Sequence, residues 1–122
     1  MTAGVVLAVI LGGVVGALAR FGLSQRFPAK AGRLAPGILV ANVVGSAIGG
    51  AVLGLAERAA LSDEWSLIIL TGFCGGLTTF STWSVDTVEL ALGKHWRAAL
   101  ANLVVTLALA VGTAAVAYLL TR

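Results

Sequence analysis

Apolar residues run almost unbroken through this chain, and its few charged residues fall in short clusters that cut it into four. Four stretches carry no charge at all: Met1 to Ala19, Leu34 to Ala56, Trp65 to Val85, and Ala98 to Thr121. Each is close to the roughly 20 residues a helix needs to cross the hydrocarbon core of a bilayer. The pattern predicts an all-α membrane protein, residues 1–122 forming one membrane domain with spans at about 3–20, 35–56, 65–86 and 97–120. The joints, Phe21 to Arg33, Glu57 to Glu64 and Asp86 to Arg97, leave no room for a further domain. The third stretch is unlike the others. From Gly72 to Ser84 glycines interrupt it, and five of its last seven residues are Ser or Thr. Such a run predicts a helix broken near Gly75–Thr79, and backbone that leaves the helix at membrane depth survives only where protein or a watery cavity satisfies it.

Composition agrees with the pattern. Hydrophobic residues make up 59% of the 122 and charged ones only 11%, against about a quarter charged in a soluble domain; the mean hydropathy is +1.03. The first stretch has no basic residue ahead of it and carries Gly12 and Gly13, so it reads as a retained helix rather than a cleaved leader. One Cys (Cys74) and one His (His95) give no internal disulfide and no protein-built zinc site. No nucleic-acid patch is present, and the pI near 9.8 reflects basic residues at helix ends. These residues report topology first. Arg20, Arg26, Lys30, Arg33, Lys94 and Arg97 lie on one side of the membrane, six against the two on the other, Arg58 and Arg122. The bias places the first and third loops in the cytoplasm.

Glycines four apart recur at Gly12/Gly16, Gly45/Gly49, Gly50/Gly54 and Gly72/Gly76. Such pairs let helices approach closely where lipid supplies no hydrophobic drive, and their abundance predicts an oligomer. Polar residues within the spans carry the functional signal, since an unpaired polar group there is costly. Asn42 and Ser46 lie one turn apart; Asn102, Thr106 and Thr113 fall on one stripe; Thr78, Thr79, Ser81, Thr82 and Ser84 crowd the third span. Interhelical glue is the structural alternative for the two asparagines. No Asp, Glu or Lys sits mid-span, which argues against a proton relay or a carboxylate-lined cation path. Amide and hydroxyl donors, with Phe80 and Trp83 one turn apart, suit a small anion, because the edge of an aromatic ring is electropositive. Arg20 stands where it would concentrate anions at a mouth.

Three segments taken together resemble the Fluc (CrcB-type) fluoride channel family: Gly12-Gly13-Val14-Val15-Gly16-Ala17-Leu18-Ala19-Arg20, Val40-Ala41-Asn42-Val43-Val44-Gly45-Ser46, and the highly specific Gly72-Phe73-Cys74-Gly75-Gly76-Leu77-Thr78-Thr79-Phe80-Ser81-Thr82. The resemblance spans the chain in length, span count and motif order. It implies a passive channel in the cell membrane, not an enzyme, in which two subunits assemble antiparallel with two narrow fluoride pores near their interface. It implies that Asn42 is a pore-lining amide, Phe80 the first ring of an aromatic pair, Ser81 and Thr82 a polar track, and Arg20 a vestibule residue. The backbone carbonyls of Gly75 and Thr78 would hold a structural, non-transported Na⁺ at the dimer centre. Fluoride trapped in the cytoplasm would leave down the membrane potential.

Two positions depart from the family pattern. Trp83 stands where a second Phe is usual, and its N–H is a candidate extra donor or a narrowing of the pore. Asn102 stands where Tyr is common, followed by Thr106 in place of Ser; both are expected to line the pore by preserving hydrogen bonds. The charge bias also favours one insertion direction, whereas an inverted homodimer needs both. A paralogous partner is therefore expected beside the homodimer alternative. Two other functions remain open on this evidence. A small four-helix multidrug exporter would need an acid in its first span, which Met1 to Ala19 lacks; a non-conducting membrane scaffold would leave the polar stripes unused.

Overall fold

The computed structural model describes residues 2–122, and among these the regular structure is entirely helical. Four helical stretches are long and apolar enough to cross a membrane: Ala3–Arg26, Pro36–Glu57, Asp63–Leu92 and Trp96–Thr121. The chain is a multi-pass membrane protein.

Helix α1 (Ala3–Arg26) starts where the Thr2 hydroxyl accepts the Val5 amide, and it continues six residues past Arg20. Helix α2 (Pro36–Glu57) opens with proline in its first turn, where the missing N–H has no partner to lose. The third span is assembled from pieces. A short α3 (Asp63–Leu67), capped by Ser62, leads into a π-helical segment, Ile68–Cys74, and a single turn α4 (Gly75–Leu77). Thr78 and Thr79 are then extended, with φ/ψ of −81°/156° and −149°/125°. Helix α5 (Phe80–Leu92) follows, its first turn capped by the Thr79 hydroxyl, which accepts the Thr82 amide at 3.2 Å. Helix α6 (Trp96–Thr121) closes the chain.

Helix α2 is central. It packs along α6 and also meets α1 and the third span; α1 lies against the π-helical segment and α4, and α5 packs on α6. Backbone-to-backbone contact at glycines sets these crossings. A methyl group on Gly16 would strike the Phe73 carbonyl, and one on Gly76 the Gly13 carbonyl; on the other flank, one on Gly50 would strike the Ala114 carbonyl. Small residues are what allow such approach in lipid.

Both Asp86 and Glu89 lie inside α5, because the third helix runs on to Leu92. Arg20 and Arg26 likewise lie inside α1, which runs on to Arg26. Little of the chain is deeply interior: among the described residues no large side chain is fully buried, and apolar side chains line the outside of every span.

Candidate functional site

The break in the third span is held by two side chains from other helices. Asn42 on α2 pairs with Thr79 as a neighbouring strand would: its Oδ1 accepts the Thr79 amide at 2.7 Å and its Nδ2 donates to the Thr79 carbonyl at 3.1 Å. A continuous helix would have sent that Thr79 amide to the Gly75 carbonyl. From α1, Arg20 Nη1 donates to the Thr78 carbonyl at 2.8 Å. The two extended residues thus keep their backbone groups satisfied without a helical ladder, as membrane depth demands. Thr78 itself bonds back to Cys74, through both its amide and its hydroxyl.

Beside the break lies a cavity of about 230 Å³ lined by Asn42, Ser46, Thr78, Thr79, Phe80, Trp83, Thr106, Leu107 and Ala110. It brings together residues from α2, the break, α5 and α6. Thr106 has the one buried side-chain polar atom among the described residues without a hydrogen-bond partner, its Oγ1; the residue is only 4% exposed. Asn42 is buried as well, and one of its two amide hydrogens remains after the bond to Thr79. The first turn of α5 adds helix N-terminal amides, whose dipole favours negative charge. The cavity wall is therefore rich in donors and has no acidic side chain. Among the described residues no three His, Cys, Asp or Glu side chains gather to hold a metal ion.

The expected site residues take three different places. Asn42, Thr78, Phe80, Trp83 and Thr106 all face the cavity. Thr82 bonds to Thr79 through its hydroxyl at 3.1 Å but lines a separate cavity of about 200 Å³ that contains Ser24 and Asp86. Ser81 is exposed and within 3.2 Å of the Thr79 hydroxyl. Phe80 is 76% exposed, its ring centroid 5.3 Å from that of Trp83 and tilted by 60°. Gly75 is also exposed on the outer surface, and Arg20 reaches the break through its bond to the Thr78 carbonyl.

Two side chains are occupied elsewhere. The indole N–H of Trp83 donates to the Asn102 carbonyl at 3.0 Å, so it is not a free donor in the cavity. The Asn102 amide donates to Thr87 Oγ1 at 2.9 Å, and Asn102 does not line the cavity. Sequence reasoning passed over Thr87. It lies just past Asp86, in what the charge pattern makes a loop, so its place one turn beyond Trp83 shows only once α5 is seen to run on to Leu92.

Fold and site define a class: a small four-span membrane protein whose third helix is broken beside a donor-lined cavity. Comparison with known proteins narrows this. Residues 7–118 match the family described as CrcB-like protein, Camphor Resistance (CrcB), and the chain belongs to that family. It is 46% identical over 86 residues to a protein of Pseudomonas paraeruginosa named fluoride-specific ion channel FluC, covering 70% of this chain and 68% of that one. The protein of that name from Chromobacterium violaceum is 48% identical over 86 residues, again 70% and 68% of the two chains. A Yersinia pestis protein named fluoride-specific ion channel FluC 1 is 47% identical over 85 residues, 69% of this chain and 67% of its own.

Proposed function

We propose that this chain is a subunit of a fluoride-selective passive channel that lowers cytoplasmic fluoride by letting the anion leave down the membrane potential. The observation that carries the proposal is the cavity at the broken third helix, whose lining brings Asn42, Ser46, Thr78, Thr79 and Thr106 together without a carboxylate. A small anion stripped of water needs such donors, and preorganised donors in a low-dielectric site act more strongly than in water. Phe80, Ser81, Thr82 and Arg20 complete the path and its surroundings. The names carried by the relatives support the choice of anion.

The exposure of the break supports assembly. Gly75, Phe80 and Ser81, which flank the extended residues, lie on the outer surface of a stretch long and apolar enough to cross a membrane, and a helix broken there leaves backbone groups that lipid cannot satisfy. A second subunit, antiparallel to the first, would cover this face. It is either another copy of this chain or a paralogue of opposite charge bias, and the six-to-two split of Lys and Arg favours the paralogue.

A structural Na⁺ fits the carbonyls of the break. The Gly75 carbonyl has lost the Thr79 amide, and the Thr78 carbonyl keeps one lone pair beside its bond from Arg20. Two oxygens are too few for a cation of this kind, so a second subunit must supply the rest. Bound there, the ion would tie the subunits together and take no part in conduction.

The test is fluoride efflux from liposomes loaded with fluoride and reconstituted with the purified chain, alone and with a paralogue. Fluoride release by the chain alone supports the channel and removes the need for a paralogue. Release only with the paralogue supports both. No release in either arm overturns the channel and leaves a scaffold.

A further inference from the structure

The joint between α5 and α6 gathers cations round an open groove. A cavity of about 410 Å³ is lined there by Gly32, Lys94, His95, Trp96, Arg97 and Ala98, none of them acidic. The turn closes tightly: the Lys94 amide donates to the Ala91 carbonyl at 3.0 Å and the His95 amide to the Leu90 carbonyl at 2.8 Å. That pattern asks for a left-handed residue just past the helix end, and glycine is the usual choice. Here the residue is Lys94, with φ of 62°. A lysine kept in that strained region points to a use for its charge. The His95 ring forms the opposite flank. A methyl on Gly32, itself left-handed at φ +71°, would come within 2.9 Å of that ring, and one on Gly93 within 3.2 Å, so the first loop meets the third at His95. Asp86 and Glu89 lie with Lys30 and Arg33 in a neighbouring cavity, which Gly32 and His95 also border.

The geometry points to this groove as a site for the phosphodiester headgroup of an anionic phospholipid, with Lys94 and Arg97 as its cationic contacts. Two observations select a lipid over a soluble anion. Trp96 is 67% exposed at the start of a span, the level at which an indole sits among headgroups. Leu100, Val104 and Val111 follow Arg97 three, seven and fourteen residues on, so one helical stripe of α6 passes from cation to hydrocarbon. All three apolar residues are exposed. At 1.5 Å per residue the stripe is about 21 Å long, enough to follow an acyl chain through a leaflet whose hydrocarbon is roughly 15 Å deep. The bias of Lys and Arg puts this joint in the cytoplasm, where the membrane surface carries anionic lipid. A lipid would bind here whatever the chain conducts.

The experiment uses the full chain with Trp65→Phe, which removes the other exposed indole, reconstituted in phosphatidylcholine vesicles. Quenching of tryptophan emission by phosphatidylglycerol brominated in its acyl chains is compared with quenching by phosphatidylcholine brominated in the same way. Trp83 is buried and adds the same background throughout. The parent is expected to favour the anionic lipid. Arg97→Gln and Lys94→Asn should each lower that preference about fivefold, the worth of one cation near a membrane surface. Asn tolerates the left-handed region, so Lys94→Asn removes the charge and keeps the turn. Arg58→Gln, outside the groove, should leave the preference unchanged. Equal quenching by the two lipids in the parent overturns the site and leaves the groove to a soluble anion or a protein segment. An equal fall in Arg58→Gln also overturns it, by reducing the effect to net charge. Inorganic phosphate, compared with chloride at the same ionic strength, should not displace the brominated lipid; displacement would make free phosphate the ligand and overturn the lipid.

Discussion

Asn42 supplies a donor and an acceptor to the main chain of one residue, Thr79, from the two arms of one planar carboxamide. Replacing it with Ala strands the Thr79 amide and carbonyl inside the subunit. The expected loss is about 2–3 kcal/mol, two net bonds plus part of the desolvation cost of the groups left behind, read as a lower unfolding midpoint in detergent. Fluoride flux should fall with it. Thr106 predicts the opposite pairing of effects. Its hydroxyl is buried without a partner, so Thr106→Val should leave stability unchanged or raise it by up to about 1 kcal/mol. If the hydroxyl serves the ion, the same variant should carry less fluoride. A variant that is both as stable and as active as the parent would take Thr106 out of the path. These two residues were visible in the sequence as costly polar groups in apolar helices. Their division of labour was not, because a stripe of hydroxyls and amides does not reveal which of them finds a partner on another helix. Trp83 and Asn102 show the same limit: nothing in the sequence says that the Trp83 N–H meets the main-chain carbonyl of residue 102, or that the Asn102 amide meets Thr87.

At the level of the helices, glycine contact with backbone rather than with flexible side chains makes two crossings intolerant. Gly16→Ala and Gly50→Ala should each destabilise by about 1–3 kcal/mol, since backbone cannot yield as a side chain does. Gly112→Ala is the matched control. Nothing lies within 4 Å of the position a methyl would take, and helix propensity alone predicts a gain of roughly 0.5–1 kcal/mol. Thermal unfolding of the three variants in one detergent separates the cases. All four spans were legible as charge-free runs, and the break as a cluster of glycine and hydroxyl residues that compete with a helical ladder. The helix ends were not legible. Arg20, Arg26, Asp86 and Glu89 sit in helices that run beyond the apolar layer, and the interface tolerates a charge within a helix that the hydrocarbon would not. The π-helical segment Ile68–Cys74, which packs against α1, has no signature in the spacing of its residues.

Considered whole, the chain packs its other spans around α2, with the candidate cavity where α2, α6 and the broken third span meet. The exposed ring of Phe80 and the exposed Gly75 flank the break on one face, the face that the proposed second subunit would cover. Mixing the chain with a paralogue and cross-linking in native membranes is expected to give a paired species in which the two first loops lie on opposite sides. Protease protection of those loops reads this directly, and a parallel pair would rule out the antiparallel arrangement.

The π-helical turn carries one more consequence. Each of its rings closes five residues back rather than four, so this stretch holds one residue more than a straight α-helix of the same ladder needs. Deleting a single residue there removes that slack and lets the segment close as ordinary α-helix, with Gly75 to Phe80 still in place. A deletion in Pro36–Glu57 has no such reserve, and it turns Asn42 about 100° away from Thr79. Length changes in natural or laboratory variants should therefore be survivable before the break and lethal to function beside Asn42. The third span is where this chain has kept room to gain or lose a residue.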